Sequence, residues 1–481
     1  MSEAWRRSAT VERALADRET LLAPGGLGAE AGFLAGGWGL AEGPDPAGGR
    51  ILAPERPAIS TLWAASINLD SDLDPEPLAR RRAAHPQPEP DRERAGDRPF
   101  RSILVTGGAG FIGSAFVRNL LRADPEVSVT VLDKLTYAGN PANLAPCEAD
   151  PEQAGRFRLI VGDIADPLAV APLVADADAV VNFAAESHVD RSIQDPTAFL
   201  RTGVLGVHVL LEAVRRADHP VRYLQVSTDE VYGEVPEGAS TEEAPLRPRS
   251  PYAAAKAAGD LLVASYVVTH GIDALVTRGS NTYGPYQYPE KVIPLFVTNT
   301  IDGQALPLYG DGLQRRDWLH VDDHAAAIEL VLRRGQPGGV YNIPGVAELT
   351  NLALTRRILA QLGRGEDLIR HVADRPGHDR RYKMDGSRIA ALGWSAQVPL
   401  EEGLAATVRW YQEHETWWRP LKAGEWHGYY ARQYGARLAG STPHDPAAGW
   451  SPLASEPEGR ASPEEPKQGA SAEERGAPPA P

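Results

Sequence analysis

Short apolar runs alternate with amphipathic stretches from Arg101 onward, and this alternation predicts strands separated by helices. The clearest strand is at 102–106, and later strands are predicted at 127–132, 157–161, 179–183, 221–226 and 274–278. Helical periodicity follows the first strand over 114–122, and an Ala-rich helical run begins near Tyr252. Such alternation indicates an α/β fold whose strands form a doubly wound parallel sheet.

The two ends of the chain lack this pattern. Residues 1–99 pass from Gly-rich pieces into a run rich in Pro, Arg and acidic residues, without a period long enough to build a core. From about Gly435 onward, Pro, Glu, Ser and Ala dominate. We therefore expect a disordered extension over 1–99 and a disordered tail over 435–481.

Composition narrows the class of protein. The 481 residues exceed one ordinary domain, and 42% hydrophobic residues permit a substantial core. A formal net charge of -15 argues against a general nucleic-acid or anionic-membrane binder. Cys147 stands alone, so no intrachain disulfide forms, and the N-terminus lacks a signal-peptide apolar region. Because no run reaches the length of a membrane span, we expect a soluble, cytoplasmic protein.

Glycines follow the first predicted strand at a fixed spacing. Gly107, Gly110 and Gly113 form a G-x-x-G-x-x-G pattern between that strand and the helix at 114–122. In Rossmann folds, such glycines allow a tight turn, close approach of backbone to a pyrophosphate, and close packing of the helix. The helix N-terminus then favours the anion through free N–H groups and the helix dipole. The pattern predicts a dinucleotide-binding Rossmann domain.

Residues at the ends of the next strands indicate which dinucleotide binds. Asp133 ends the second strand ~20 residues beyond the glycines, where a carboxylate accepts the ribose hydroxyls of NAD and repels the phosphate of NADP. Asp163, after the third strand, could meet the adenine amino group or be a simple turn residue. Ala184 and Ala185 follow the fourth strand, and their small side chains would let the nicotinamide ribose approach the backbone. We therefore predict NAD.

Candidate catalytic residues follow the strand at 221–226. Thr228, Asp229 and Glu230 come at its carboxyl end, where open α/β sheets place their chemistry. Downstream, Tyr252 and Lys256 share one helix face through their i,i+4 spacing. A cation beside a tyrosine favours the phenolate, which then acts as a base. A solvated turn and an ordinary helix face would explain each feature alone, but both follow a dinucleotide fingerprint.

Later loops carry groups suited to an anionic ligand. Residues 281–291 are rich in aromatics and hydrogen-bonding groups. Arg316 is a natural diphosphate ligand, because a guanidinium group suits phosphates. A structural salt bridge is an equally good explanation for one of Arg315 and Arg316. The acids and histidines over 320–324 suggest the opening of a helix rather than a metal site, so no metal is expected.

Longer motifs support a resemblance over roughly residues 101–425. They are VSTDEVYG at 226–233, the Tyr252/Lys256 pair, NTYGPYQYPEKVIPL at 281–295, GDGLQRRDWLHVDDH at 310–324, YNIPG at 341–345 and RPGHDRRY at 375–382. With these motifs the chain resembles the extended short-chain dehydrogenase/reductase family and, within it, the dTDP-glucose 4,6-dehydratases. The acid pair Asp229-Glu230 separates these enzymes from related epimerases.

The resemblance implies an architecture. It implies an NAD-binding Rossmann domain over 100–280 with a return segment at about 317–345. It also implies a smaller C-terminal nucleotide-sugar-binding domain from 281–316 and 346–430. Members of the family are usually dimers, so a homodimer is expected, with dTDP-glucose as the small-molecule substrate.

The resemblance also implies roles for individual residues. Tyr252 takes the proton of the sugar 4-hydroxyl, which Thr228 hydrogen-bonds, while Lys256 holds the ribose and lowers the Tyr pKa. Glu230 then removes the C5 proton and Asp229 protonates the leaving 6-hydroxyl. The implied cofactor contacts are Gly107, Gly110, Phe111, Ile112, Gly113, Asp133, Lys134, Thr136, Asp163, Ile164, Ala184, Ala185, Ser187, Thr202, Tyr252 and Lys256. The implied substrate contacts are Ser187, Thr228, Asn281, Lys291, Val292, Pro307, Tyr309, Arg316, Asn342, Arg375 and His378.

One position departs from the family pattern. Gly203 stands where the family usually has Asn, beside the retained Thr202. That Asn normally supports the backbone of the active site. Two alternatives stay open at this point: a 4,6-dehydratase of a UDP- or GDP-linked sugar, and a nucleotide-sugar 4-epimerase, which needs no acid pair and loses no water.

Overall fold

The computed structural model of the chain describes residues 98–444. The extension expected over 1–97 and the tail expected over 445–481 lie outside the described residues. By their contacts, residues 101–157 and 161–444 belong to one unit, and the sites below lie within it. Residues 98–100 and 158–160 group with a second unit, whose other residues are not described.

A seven-stranded sheet occupies the centre of the part described, in the order β10-β6-β5-β4-β1-β2-β3. Its strands are β1 (Ser102–Thr106), β2 (Ser128–Asp133), β3 (Phe157–Val161), β4 (Ala179–Asn182), β5 (Arg222–Thr228), β6 (Ala274–Gly279) and β10 (Val340–Ile343). The pairs β1–β2, β1–β4, β4–β5, β5–β6 and β6–β10 are parallel. The order reverses at β1, which confirms the predicted doubly wound fold.

Helices connect these strands. They are α1 (Phe111–Ala123), α2 (Ala145–Ala149), α3 (Pro151–Ala154), α4 (Pro167–Ala175), α5 (Val189–Gln194), α6 (Thr197–Leu200), α7 (Val207–Arg216), α8 (Pro251–His270) and α10 (Val321–Arg334). Helix α9 (Val292–Ile301) lies between α8 and α10 in the sequence. A π-helical segment, Arg201–Gly206, joins α6 to α7, and a 3-10 turn, Asp229–Tyr232, follows β5. All of β5 is buried, as expected for a central parallel strand covered on both faces.

The remaining strands form two smaller sheets of three strands each, in the orders β11-β9-β7 and β13-β12-β8. Their members are β7 (Asn281–Tyr283), β8 (Leu306–Tyr309), β9 (Arg315–His320), β11 (Ala347–Thr350), β12 (Ile369–Val372) and β13 (Thr442–Pro443). Helices α11 (Asn351–Gln361), α12 (Ser387–Ala391), α13 (Leu400–Glu413), α14 (Glu415–Ala423) and α15 (Glu425–Ala439) complete the chain. A separate apolar core, which includes Phe296, Leu354, Tyr411 and Trp418, fills this smaller domain. The proposed domain boundaries themselves stay predictions.

The predicted start of the disordered tail at 435 is wrong for residues 435–444. Helix α15 passes through Gly435 and ends at Ala439, and β13 then pairs antiparallel with β12. Composition alone marked Gly435 as a break, but Tyr434 is buried in the smaller core and anchors the helix there. His444 then hydrogen-bonds His371 across a Nδ1–Nε2 distance of 2.9 Å.

One helical stretch, Thr197–Arg216, is long and apolar enough to cross a membrane by length and composition alone. The core helix of a soluble protein passes the same test, so this is weak evidence. The stretch combines α6, the π-helical segment and α7, and it contacts α8 along its length.

Candidate active site

A cavity of about 280 Å³ opens at the carboxyl ends of the central strands. Every residue predicted to contact the cofactor lines it, as do Thr228, Asp229, Glu230, Asn281 and Lys291. The strand order reverses at this edge of the sheet, which is where doubly wound folds bind their ligands. The structure therefore brings the fingerprint and the candidate catalytic residues into one space.

The glycine turn is shaped by close backbone contacts. Gly107 has φ 72°, and a Cβ there would lie 2.5 Å from the backbone nitrogen of Ala184. A Cβ on Gly113 would lie 2.5 Å from the carbonyl oxygen of Gly107. Gly110 is the N-cap residue of α1 and lines the cavity. The turn thus presents a helix N-terminus to the cavity, which suits the pyrophosphate of a dinucleotide.

Asp133 links the second strand to this turn. Its carboxylate accepts hydrogen bonds from the backbone of Ala109 (2.9 Å) and of Leu135 (2.8 Å). Burial raises the pKa of Asp133, and the two N–H donors partly oppose that effect. Asp163 forms an ion pair with Lys134 at 2.9 Å and faces the same cavity. Both acids thus occupy the positions expected of residues that recognise the adenosine half of NAD.

The catalytic candidates come from two elements. Thr228 ends β5, and Asp229 and Glu230 open the 3-10 turn that follows it. The hydroxyl of Thr228 donates to Asp229 Oδ1 at 3.1 Å. Tyr252 and Lys256 lie on α8, where the Lys256 ammonium donates to the carbonyl of Val226 at 2.5 Å. The turn and the helix therefore bring a hydroxyl, two acids, a phenol and an ammonium to one wall of the cavity.

Burial dominates the electrostatics of this set. Burial, reinforced by the neighbouring Glu230 carboxylate, raises the pKa of Asp229 to about 8. Burial also raises the pKa of Glu230, against the cationic Arg375 and Lys291. The same cause lowers the pKa of Lys256 to about 8. Asp229 therefore keeps its proton at neutral pH, which suits a general acid.

The expected lowering of the Tyr252 pKa is wrong for the protein by itself. Burial raises the pKa of Tyr252, and the charges of Glu230 and Asp229 raise it further. A hydrogen bond from Thr228 acts in the opposite direction but does not reverse the shift. The i,i+4 spacing correctly placed Lys256 on the same helix, but burial and the neighbouring acids set the direction of the shift.

A second cavity of about 150 Å³ adjoins the first. Glu230, Asn281, Glu290 and Lys291 line both cavities, so Glu230 stands where they meet. Predicted substrate contacts that line the second cavity are Asn281, Lys291, Val292, Pro307, Tyr309, Arg316, Arg375 and His378. Ser187 and Thr228 line the first cavity.

Three cations face the second cavity. Arg316 donates to the carbonyl of Asp379 at 3.0 Å and lies over the ring of Tyr382. Arg375 pairs with Asp190 at 3.3 Å, and the Lys291 ammonium donates to the carbonyl of Ser187. Burial lowers the pKa of both Lys291 and Arg316, which is the cost of holding cations in a confined space. An anionic ligand such as a diphosphate would offset that cost.

Asn342 is the predicted substrate residue that the structure places elsewhere. Within residues 98–444, it lines neither cavity, is fully buried, and bonds Tyr232 and Ser240 instead. It lies on β10 in the main sheet, whereas the second cavity is lined by Asn351, the first residue of α11. Sequence reasoning missed Asn351, Asp190, Glu290, Tyr382 and Tyr434, which also line that cavity. Glu290 precedes the predicted Lys291, and Tyr434 falls in the stretch where order was predicted to end.

Gly203 lies in the π-helical segment against α8. A Cβ there would approach the Cβ of Ala255 to 3.2 Å, tighter than most such contacts. Gly259 faces the same segment, and a Cβ on it would lie 3.0 Å from the carbonyl oxygen of Gly203. The two glycines thus let the backbone of the segment approach the helix that carries Tyr252 and Lys256. In this chain the departure from the family residue coincides with close helix packing.

A family model described as GDP-mannose 4,6 dehydratase matches residues 104–407. The chain belongs to this dehydratase family. A dTDP-glucose 4,6-dehydratase of Streptomyces niveus is 56% identical over 327 residues, which cover 67% of this chain and 96% of the relative. The low-salt glycan biosynthesis protein Agl12 of Haloferax volcanii is 52% identical over 309 residues, 64% of this chain and 98% of the relative.

Solved structures give the same picture. A dTDP-glucose 4,6-dehydratase from Streptomyces venezuelae, solved with NAD bound, has a TM-score of 0.64 at 53% identity and covers 67% of this chain and 100% of its own. A UDP-glucose 4-epimerase from Thermus thermophilus, also solved with NAD, has a TM-score of 0.59 at 31% identity, with coverage of 65% and 99%. Within the dehydratase family the dTDP-glucose enzymes are thus much nearer in sequence than this epimerase.

Proposed function

We propose that the chain is an NAD-dependent dTDP-glucose 4,6-dehydratase, which converts dTDP-glucose to dTDP-4-keto-6-deoxyglucose and water. One observation carries the proposal: Glu230 stands where a dinucleotide cavity meets a second, cation-lined cavity, beside the protonated Asp229. An enzyme that only oxidises and reduces a sugar needs no such acid pair. Relatives that are 52–56% identical support the same activity.

The first cavity fits NAD. The glycine turn and the N-terminus of α1 would hold the pyrophosphate, and Asp133 would accept the ribose hydroxyls of the adenosine half. Ala184 and Ala185 line the same cavity, and their small side chains leave room for the nicotinamide ribose. When bound, NAD accepts the C4 hydride of the sugar and later returns it to C6, and its positive charge favours the Tyr252 phenolate.

Thr228, Tyr252 and Lys256, on one wall of the first cavity, act in the oxidation at C4. Tyr252 takes the proton of the 4-hydroxyl, and the Thr228 hydroxyl, at the end of β5, holds that oxygen in place. Lys256 is fixed to the backbone of Val226 and would orient the nicotinamide ribose of NAD in the first cavity. Loss of the C4 hydride and of the hydroxyl proton leaves a ketone at C4.

The acid pair performs the elimination. The C4 ketone acidifies the C5 hydrogen, which Glu230 removes as a proton. Asp229 gives its own proton to the departing 6-hydroxyl, so that water leaves and a C5–C6 double bond forms. Hydride addition at C6 and a proton at C5 then complete the product. Asp229 holds the required proton because its pKa is about 8.

The second cavity holds the nucleoside diphosphate. Lys291, Arg316 and Arg375 surround the diphosphate, while Tyr309, His378 and Tyr434 form aromatic walls suited to the base and its sugar. Asn351 replaces Asn342 as the amide available to the nucleotide.

The test is incubation of the purified protein with dTDP-glucose, UDP-glucose, GDP-mannose and NAD. We expect loss of one water from dTDP-glucose, seen by mass spectrometry, and much slower reaction of the other two sugars. Tyr252→Phe serves as the inactive control. Epimerisation at C4 without loss of water, or preference for UDP- or GDP-linked sugar, would contradict the proposal.

The expected homodimer is also proposed here, together with a cytoplasmic location. Leu200 and Leu205 from the Thr197–Arg216 stretch, with Leu261 and Val268 from the adjoining α8, form an exposed apolar face. Leu261 is 61% exposed and Val268 84% exposed, although both helices are otherwise packed against the sheet. A second copy of the chain, offering the same two helices, would bury this face in a four-helix contact.

Leu261→Glu tests the dimer by sedimentation, because a buried carboxylate would separate the copies. Leu168→Glu is the matched control, since Leu168 is 85% exposed on α4, which contributes no residue to this face. We expect the first variant alone to sediment as a monomer. Equal sedimentation of both variants as dimers would place the interface elsewhere.

A further inference from the structure

Asn342 belongs to a buried network of hydrogen-bonded side chains that line neither cavity. Asp260 Oδ2 accepts from Arg278 Nε at 2.9 Å, and Arg278 Nη1 donates to the Tyr232 hydroxyl at 2.8 Å. That hydroxyl donates to Asn342 Oδ1 at 2.8 Å, and Asn342 Nδ2 donates to the carbonyl of Ser240 at 3.0 Å. Within the described residues, Asp260, Arg278, Tyr232 and Asn342 lie outside the lining of both cavities, so these side chains do not reach a bound substrate.

Two members of this network lie beside the two catalytic pairs, Tyr252/Lys256 and Asp229/Glu230. Asp260 is one helical turn beyond Lys256 on α8, the helix that also carries Tyr252. Tyr232 is the last residue of the 3-10 turn that begins with Asp229 and Glu230. Arg278 bridges them from β6, the strand beside β5. The network therefore joins the helix of the redox pair to the turn of the acid pair.

Burial makes the link stiff. Its four side chains are between 0% and 5% exposed, so water does not compete for their hydrogen bonds. The guanidinium of Arg278 also lies over the ring of Tyr232, 4.9 Å from its centroid. A planar fork that donates to two partners at once fixes both distance and direction, which an ammonium does not.

The turn depends on this link more than the helix does. Thr228 caps the turn weakly, since the Glu230 N–H donates to its hydroxyl at 3.3 Å, and one backbone bond, Arg247 to Val231 at 2.9 Å, holds it from outside. Helix α8 is longer, is capped by Ser250, and is held independently through Lys256 and Val226. Weakening the network should therefore displace Asp229 and Glu230 before it displaces Tyr252.

We propose that Arg278 and Tyr232 are positioning residues that hold the acid pair in register with the redox pair, so that elimination follows oxidation of the same bound sugar. This inference rests on the proposed function, because it assigns the two pairs to successive steps. Asp260 and Asn342 complete the link by orienting the two positioning residues.

The test uses Tyr232→Phe, which removes one hydroxyl, and Arg278→Lys, which keeps the charge but loses the fork. Both are compared with Arg222→Lys, because Arg222 is an equally buried arginine of β5 that pairs with Asp273 at 3.0 Å. Single turnovers with dTDP-glucose follow the absorbance of reduced nicotinamide, the oxidised hexose intermediate and the final product. Thermal unfolding and titration with NAD are measured for each variant.

We expect kcat of Tyr232→Phe and Arg278→Lys to fall by about 10- to 100-fold, because small misplacements of catalytic groups have effects of that size. The reduced-nicotinamide absorbance should persist and the intermediate should accumulate, while NAD affinity stays unchanged. Arg222→Lys should lower the melting temperature without shifting this partition. If all three variants lose stability but convert the intermediate as fast as the parent, the network is only structural and the inference fails.

A second measurement separates failure of the inference from failure of the proposed function. Native-state hydrogen exchange should speed up over 228–233 in Tyr232→Phe and Arg278→Lys, but not in Arg222→Lys. If the parent protein does not dehydrate dTDP-glucose, the proposed function fails, yet the exchange data still decide whether the link holds the turn. Unchanged exchange over 228–233 would refute the link in either case.

Discussion

The raised pKa of Asp229 leads to a specific prediction about pH. In the proposed mechanism Asp229 donates a proton during elimination, and its pKa is about 8. One pH unit above that value only about a tenth of the molecules keep the proton, so the elimination rate should fall about tenfold per unit there. Below that value the contribution of Asp229 to the rate should be flat, since the acid is already protonated.

One neighbouring group complicates the pH profile and must be separated from Asp229 in the assay. Lys256 also has a pKa of about 8, and loss of its charge would slow the oxidation step instead. Single-turnover experiments distinguish them, because the reduced-nicotinamide absorbance reports oxidation and product formation reports elimination. Asp229→Asn should remove the alkaline fall from elimination and leave that of oxidation in place. Persistence of the same alkaline fall in the elimination rate of Asp229→Asn would refute the assignment.

The same shift has a consequence for folding. Because the pKa of Asp229 is raised on folding, its favourable contribution is fully present below its unfolded value and disappears as pH rises through about 8. The uncharged amide of Asp229→Asn escapes this loss. Chemical denaturation of parent and variant should therefore show the variant gaining relative stability as the pH rises from about 4 to about 8, with no further gain above that. A stability difference that does not change with pH would show that Asp229 titrates alike in both states.

Three further predictions follow from the site. Glu230→Gln should lower turnover by about 10²–10⁴-fold while oxidation survives, so single turnovers should accumulate reduced nicotinamide; a fully active variant would contradict its role as the C5 base. Asp133→Ala should weaken NAD binding and reduce the preference over NADP, measured by titration with both; tighter NADP binding by the parent would overturn the assignment. A chain that begins at Arg98 should keep its kcat/KM, because relatives match over 95–99% of their own length on about two-thirds of this chain; loss of folding would show that the preceding residues are needed.

Local patterns predicted much of the fold. The strands at 102–106 and 157–161 have the predicted bounds, and the others differ by one or two residues at their ends. This agreement has a physical reason, because central parallel strands are continuous apolar runs bounded by turn residues. The glycine spacing fixed the position of the cofactor cavity, since tight turns and close backbone contacts at Gly107 and Gly113 tolerate no side chain.

Asn342 and the residues after Gly435 show where local patterns end. Asn342 lies in the motif YNIPG, but its position on β10 points it into the interior, where it hydrogen-bonds Tyr232 rather than a nucleotide. Tyr434 reaches the second cavity because α15 packs across the smaller domain. In the sequence, Tyr434 is distant from the other residues that line this cavity. Neither fact is visible in residue spacing, because both depend on contacts between distant segments.

The pKa values of the catalytic residues could not be predicted from the sequence for the same reason. The spacing of Tyr252 and Lys256 predicts that both lie on one helix face. Considering this pair alone then predicts a lowered pKa for Tyr252. In the folded chain, burial and the carboxylates of Glu230 and Asp229 act on the same phenol from another element and raise its pKa. A pKa sums over every charge and every loss of water around a group, so it is a property of the assembled site. The pKa values of the phenol and of both acids are all raised. We therefore infer that Tyr252 acts as a base only when the positive charge of the cofactor is present.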